Sequence, residues 1–206
     1  MRHRSAAATA ALTATLALAL AVAAASANRL SYSTQGFRIT WSQLTFSESG
    51  GGLPIRCPVT LEGSFHSRTI AKLRGALVAH ISRAAIGVCQ EGNATILSAT
   101  LPWHVTYQSF TGTLPSLTGV RHLLIGAAFQ IEPGLGIVCL ARTMAESPAA
   151  GDANREAGGN ITSLSPDPSL PIPVTGSLCP PFGVFSGGGE VHVLGSTSTR
   201  VRLSLI

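Results

Sequence analysis

The sequence contains little charge and few aromatic residues. Only 11% of its 206 residues are charged and 5% are aromatic, whereas 45% are apolar. A disordered chain needs much charge and few apolar residues, so this composition excludes one. The chain also lacks the Gly-X-Y period of collagen and the Glu and Lys content of a coiled coil. These absences favour a globular protein.

Long apolar runs are absent after residue 27. The longest strongly apolar run beyond that point, residues 123–129, is too short to span a membrane. The N-terminus differs, because residues 1–4 (MRHR) precede an Ala-, Leu- and Thr-rich stretch that ends in an A-x-A site at residues 25–27. This pattern indicates a secretory signal peptide cleaved after Ala27. A membrane anchor is the weaker alternative, because alanine gains little from burial in lipid.

The expected product of cleavage is a single β-rich domain, residues 28–206, without a transmembrane segment. It is expected to be secreted or held in the cell envelope. Clusters of basic residues are also missing, since Lys72 is the only lysine and the arginines are scattered. Nucleic acids and anionic membranes are bound by clustered basic side chains, so no nucleic-acid partner is expected.

Cysteine is scarce, and its number is even. The four cysteines are Cys57, Cys89, Cys139 and Cys179. In an exported chain this number predicts two disulfides, for which three pairings exist. We favour Cys57–Cys89 and Cys139–Cys179, because each pair encloses a local unit. The smallest spacing is 32 residues, far wider than the close ligand pairs of zinc sites, so neither a metal nor a cofactor is expected.

Alternation of apolar and polar residues predicts that most of the chain is β-strand. Residues 36–41 alternate, and the phase slips at Leu44 and Phe46, which indicates a bulge. Residues 59–65 alternate in the same way. Further strands are predicted at residues 94–101, 103–110, 120–131, 137–143, 190–194 and 201–205, and a flexible loop or hairpin tip near 145–160.

One stretch has helical rather than strand spacing. Its apolar residues fall on a single stripe and are Ile70, Leu73, Leu77, Ile81 and Ala84. This stripe predicts a helix over about 67–86, with Ser67 as N-cap and Gly87 as terminator. The predicted fold class is therefore mainly β. It is an antiparallel β-sandwich or β-barrel of about nine or ten strands with one packed α-helix.

The motifs of common exported enzymes are missing. There is no G-x-S-x-G and no H-E-x-x-H. Ser64 lies between Glu62 and His66, but alternate side chains on a strand are about 7 Å apart. A nucleophile must lie within about 3 Å of its base, so these three residues do not form a catalytic triad. The histidines at positions 66, 80, 104, 122 and 192 do not pair with another ligand at i+2 or i+4. No catalytic residue is predicted.

Polar strand faces are the remaining candidate sites. In residues 103–108 one phase is apolar, and the other holds His104, Thr106 and Gln108. Glu190 and His192 form a similar row on a later strand. Because peptides and sugars often bind along polar strand faces, these five side chains are the candidate ligand-binding residues. The chain has only two tryptophans, which weakens the case for a carbohydrate ligand.

Two segments carry a family likeness. Residues 61–72 (LEGSFHSRTIAK) and 101–110 (LPWHVTYQSF) resemble uncharacterised exported proteins of high-GC actinobacteria. The resemblance implies a bacterial, exported, single-domain protein, and it implies no activity, because that family has none to transfer.

These observations predict an exported, disulfide-stabilised β domain that binds an unknown extracellular ligand or has a structural role. The alternative is a small secreted hydrolase whose residues converge only in the fold. A third interpretation is a surface protein that self-associates through an exposed strand edge.

Overall fold

A computed structural model describes residues 29–48 and 54–206. The predicted signal peptide, residues 1–27, lies outside the described residues. The strands are β1 (Arg29–Tyr32), β2 (Gly36–Glu48), β3 (Ile55–Phe65), β4 (Thr69–Ala71), β5 (Leu77–Ile86), β6 (Asn93–Ile96), β7 (Trp103–Thr113), β8 (Ser116–Ile125), β9 (Ala128–Gly134), β10 (Ile137–Arg142), β11 (Ala149–Arg155), β12 (Ile161–Pro166), β13 (Ile172–Thr175), β14 (Phe182–Ser186), β15 (Glu190–Val193) and β16 (Leu203–Leu205).

The prediction of a mainly β protein is confirmed. Thirteen strands form one sheet in the order β12-β11-β8-β7-β5-β3-β2-β14-β13-β10-β9-β6, and β15 pairs with β2 beside this path. The other three strands form a small sheet in the order β16-β1-β4. All the paired strands are antiparallel, as expected from short turns rather than helical crossovers.

The large sheet curls into a half-barrel with an apolar interior. Alternate residues of each strand point inwards, so the inner face of β2 is formed by Phe37, Ile39 and Trp41. At the far edge, Leu164 in β12 exchanges two backbone hydrogen bonds with Gly189, just before β15. The small sheet packs its buried side chains, among them Leu30, against the same core.

The predicted bulge in the first long strand is confirmed. The register between β2 and β3 shifts between Trp41 and Leu44. Trp41, Leu44 and Phe46 are all buried, although strict alternation would turn Leu44 towards solvent. The extra residue of the bulge therefore keeps both halves of β2 facing the core.

The predicted helix over residues 67–86 is wrong, because this segment forms β4, a turn and β5. The β5 register shifts against β7 between Leu77 and Ala79, and an extra residue lies opposite β3 near Ser82. These bulges bury Val78, Ala79 and Ile81, of which only Ile81 belongs to the predicted stripe, so the stripe does not mark one buried face. Leu73, assigned to the apolar stripe, is 69% exposed in the turn.

The predicted number of strands is also too low. The structure has sixteen among the described residues, and many of the additional strands have only three or four residues. Residues 120–131 form two strands rather than one, because the chain turns at Gly126, whose φ is 90°. The segment 145–160, expected to be a flexible loop or hairpin tip, contains β11, which pairs with β8 and β12.

Both predicted disulfides are confirmed, Cys57–Cys89 and Cys139–Cys179. The first fastens the segment after β5 to the inner face of β3, where Cys57 is fully buried. The second joins β10 to the turn between β13 and β14. Two disulfides in an all-β domain fit an oxidising environment. The described part of the chain contains no helix long and apolar enough to cross a membrane.

One glycine permits close packing of the half-barrel wall. Gly63 lies on β3 opposite Ile81 of β5, with its α-carbon facing inwards. A β-carbon there would overlap the backbone carbonyl oxygen of His80 and lie 2.9 Å from the Phe37 ring. A larger residue would therefore force the two strands or the ring to move.

Candidate functional site

A cavity of about 130 Å³ lies inside the half-barrel. Its wall is formed by apolar side chains of β2, β3, β5, β8, β11 and β12, and Phe129 and Phe185 lie at one end. Those two rings contact each other with centroids 5.2 Å apart and their planes tilted by 60°. Most of the cavity is therefore lined by side chains of the core itself.

Small residues on β11 leave this space open. Ala149, Gly151 and Ala153 occupy the inward phase of the strand and line the cavity. Gly151 lies between His122 of β8 and Pro166 of β12 in the strand registers. Larger side chains at these three positions would fill the interior, as they do on β2 and β3.

Two polar side chains meet at one end of the cavity. Tyr32 enters from the end of β1, where its ring stacks on Phe65 with centroids 3.9 Å apart. Its hydroxyl lies 3.4 Å from Nε2 of His122, which points inwards from β8. Both residues line the cavity.

Burial shifts the pKa of both groups towards the neutral form. It lowers the pKa of His122 from 6.5 to about 4, so the imidazole is neutral at pH 7. It also raises the pKa of the Tyr32 hydroxyl above its ordinary value, with a smaller contribution from Tyr107. His122 is half-buried and lines the cavity. The end of the cavity therefore offers hydrogen bonds without a charge.

Trp41 of β2 also lines the cavity, but its polar atom is buried. Trp41 is 97% buried, and its indole N–H has no hydrogen-bond partner among the described residues. Gly189 packs flat against the ring, since a β-carbon at that position would lie 2.7 Å from Nε1. A buried donor without an acceptor is costly, and the indole N–H is covered by the protein rather than open to the cavity.

The lining offers little to hydrolytic chemistry. Among the described residues, no carboxylate, serine, threonine or cysteine lines this cavity. The hydroxyl of Tyr32 lies beside His122 Nε2, and burial disfavours the ionised form of this hydroxyl. The arrangement can donate and accept hydrogen bonds, but it holds no acid to orient the imidazole as in a catalytic triad.

The polar row predicted on residues 103–108 lies on the outer face of β7. His104 is exposed, and Thr106 and Gln108 are half-buried, while Trp103 and Tyr107 point into the core. With its amide oxygen turned towards Arg74, Gln108 accepts a hydrogen bond of 2.8 Å from that guanidinium. These three candidate residues do not border the cavity.

Glu190 and His192 lie on β15, in another part of the outer face. Glu190 Oε2 is 3.8 Å from His192 Nε2, and Glu190 Oε1 is 3.5 Å from Arg200. The strands β5, β3 and β2 separate β15 from β7 in the sheet. The fold therefore does not bring the two predicted rows together, and their role in binding stays a prediction.

The fold does assemble a row of three histidines that sequence spacing did not reveal. His66, His80 and His104 follow one another across neighbouring strands, with ring centroids 6.2 and 5.1 Å apart. Partial burial, with the nearby His104 and His66, lowers the pKa of His80. Within residues 29–48 and 54–206, no group of three or more His, Cys, Asp and Glu side chains is arranged to hold a metal ion.

Sequence reasoning did not identify the residues of the cavity. Tyr32 and His122 are 90 positions apart, and only the pairing of β1 with β4 and β16 brings the tyrosine into the half-barrel. One signal was present, because His122 interrupts an apolar stretch on the inward phase of β8. A histidine in such a place needs a partner inside the protein.

Comparison of the chain with protein families, curated proteins and solved structures gives no significant match.

Proposed function

We propose that the protein is an extracytoplasmic binding protein that holds a small, neutral and mainly apolar molecule inside its half-barrel. The observation that carries this proposal is the cavity, whose lining is apolar except for Tyr32, His122 and Trp41. A site of this kind, apolar with a few placed polar groups, is the usual form of a small-molecule pocket.

The cavity volume limits the size of the ligand. A protein cavity of about 150 Å³ lined by apolar side chains binds benzene. At about 130 Å³ this cavity suits one ring or a short carbon chain of similar volume. Drug-sized ligands need pockets of about 300 Å³ or more. We therefore expect a compact ligand rather than a long-chain lipid.

The electrostatics of the cavity favour a neutral ligand. His122 is uncharged at pH 7, and the described residues place no ion pair or charged side chain in the lining. Transfer of an ionised group into such a site is strongly unfavourable without a partner. Organic acids and amines in their charged forms are therefore expected to bind poorly.

The proposed location outside the cytoplasm is supported by the two disulfides, the signal-peptide pattern of residues 1–27 and the resemblance to exported actinobacterial proteins. Binding is favoured over the alternative of a secreted hydrolase, since the lining pairs His122 with a hydroxyl and not with a carboxylate. The polar rows on β7 and β15 remain a predicted second surface for a larger partner. Self-association through an exposed strand edge also remains a prediction.

Benzene is the simplest probe of the proposal. We expect it to raise the thermal midpoint of the oxidised protein, because a ligand that binds only the folded state stabilises it. Gly151→Leu tests the location, since a β-carbon at Gly151 lies no closer than 3.5 Å to its neighbours and the longer side chain extends into the cavity. This variant should fold and lose the benzene response.

Gly188→Leu is the matched control for this experiment. Gly188 is exposed, and a β-carbon there meets nothing within 4 Å. It should respond to benzene like the original protein. An unchanged midpoint with benzene in the original protein, or an equal response in Gly151→Leu, would argue against the interior site.

A further inference from the structure

The contact between Tyr32 and His122 is long and lies at the end of an otherwise apolar cavity. The oxygen and nitrogen are 3.4 Å apart, beyond the usual range of a strong hydrogen bond. Both residues line the cavity, so a guest molecule would lie beside them. The pair is therefore only partly satisfied by its own contact.

Either tautomer of His122 leaves Tyr32 with hydrogen-bonding capacity. If Tyr32 donates to Nε2, its oxygen still has lone pairs and can accept a hydrogen bond from a guest. If Nε2–H donates to Tyr32 instead, the tyrosine O–H is free to donate. A guest hydroxyl can both donate and accept, so it complements the pair in both cases. A carbonyl complements only the second case, and a hydrocarbon complements neither.

We infer that the natural ligand carries a hydroxyl group that binds the Tyr32–His122 pair, which places it among neutral phenols and alcohols of about one-ring size. This inference rests on the proposed function, since it assigns the class of molecule that the same cavity holds.

A purely apolar cavity would have the opposite preference. Phenol must lose its hydrogen bonds to water on entering a protein interior, and this loss is unfavourable unless new partners replace them. Benzene has no such loss. The ratio of phenol to benzene affinity therefore reports whether the polar pair acts on the ligand, independently of how well the cavity accepts a ring.

The experiment is calorimetric titration of the oxidised protein with phenol and with benzene at pH 7. Tyr32→Phe is the key variant, because it keeps the ring stacked on Phe65 and removes only the hydroxyl. We expect phenol to bind the original protein at least as tightly as benzene. In Tyr32→Phe the phenol affinity should fall about tenfold or more, while the benzene affinity stays within about twofold.

Two outcomes distinguish a failure of this inference from a failure of the proposed function. If benzene binds but phenol binds much more weakly, or if Tyr32→Phe keeps its phenol affinity, the hydroxyl assignment is wrong and the cavity remains a binding site. If neither probe binds the original protein, both the inference and the proposed function fail. Circular dichroism of Tyr32→Phe checks that it is folded, and His122→Gln provides a second variant that should lower phenol affinity selectively.

Discussion

The Tyr32 hydroxyl lies 3.4 Å from Nε2 of His122, and both groups are enclosed by the apolar interior of a curled sheet. The tyrosine comes from the small sheet and the histidine from the large one. This contact is thus a polar link between the two sheets, and it makes one end of the cavity chemically different from the rest.

Acid should weaken the fold through His122. Its pKa is about 4 in the folded protein and 6.5 ordinarily, so the unfolded chain takes up the proton first as the pH falls. Above about pH 6.5 His122 is neutral in both the folded and the unfolded chain, and the fold has its full stability. As the pH falls from about 6.5 to about 4, part of this stability is lost, because the unfolded chain is protonated first. The total loss is about 3 kcal/mol. Urea unfolding at several pH values measures it.

His122→Gln should flatten this pH dependence. His80→Gln is the comparison, because the pKa of His80 is also lowered but its side chain lies on the outer face. That variant should keep the part of the pH dependence that comes from His122. Equal slopes in the original protein and in His122→Gln would show that the buried histidine does not control acid stability.

Gly63→Ala should destabilise the protein by about 1–3 kcal/mol, the usual cost of overpacking. The added methyl group would overlap the His80 carbonyl oxygen, which belongs to the backbone and has little freedom to move. The free energy of unfolding in urea measures the effect. Gly188→Ala is the matched control, since nothing lies within 4 Å of a β-carbon there. Equal stability of the two variants would contradict this account of the β3–β5 contact.

Loss of the disulfides should unfold the domain. The bridges span 32 and 40 residues, for which the chain-entropy relation gives about 4 kcal/mol each. Their sum is comparable to the whole stability of a typical domain, about 5–15 kcal/mol. We expect Cys139→Ala/Cys179→Ala to lower the thermal midpoint and full reduction to abolish the cooperative transition. A reduced protein with an unchanged midpoint would refute this expectation.

Leu135→Asn should stabilise the protein slightly, by up to about 1 kcal/mol. Leu135 is fully exposed in the turn between β9 and β10, and its φ of 54° lies in the left-handed region. Asparagine tolerates this region better than leucine does. Leu73→Asn is the control, because Leu73 is also exposed but has no positive φ. The thermal midpoints of both variants test this prediction. A lower midpoint in Leu135→Asn than in the original protein would contradict it.

The elements that local pattern controls could be predicted from the sequence. The phase slip before Leu44 predicted a bulge, and the structure has one between Trp41 and Leu44. The favoured pairing of Cys57 with Cys89 is correct, because the chain between them folds back through β5 beside β3. In both cases the information lies within a few dozen residues.

The helix prediction failed because local spacing has two physical explanations. Ile70 and Ile81 of the predicted stripe are both buried, but they lie on two strands, β4 and β5, and not on one face of a helix. The spacing of apolar residues in one sequence does not distinguish a helix face from residues on two neighbouring strands. The cavity was beyond prediction for another reason, since its polar end depends on which distant strand receives Tyr32.

The small residues of β11 have a consequence for how such a protein could change over time. Side chains at Ala149, Gly151 and Ala153 determine how much room the interior leaves, while the backbone of the same strand makes the ladders to β8 and β12. The side-chain atoms therefore set the size of the cavity, and the backbone atoms hold the strands together. A relative could accept a larger or smaller guest by exchanging one residue on this strand, and its neighbours would keep their register. Specificity in this architecture is therefore adjustable in small steps without rebuilding the fold.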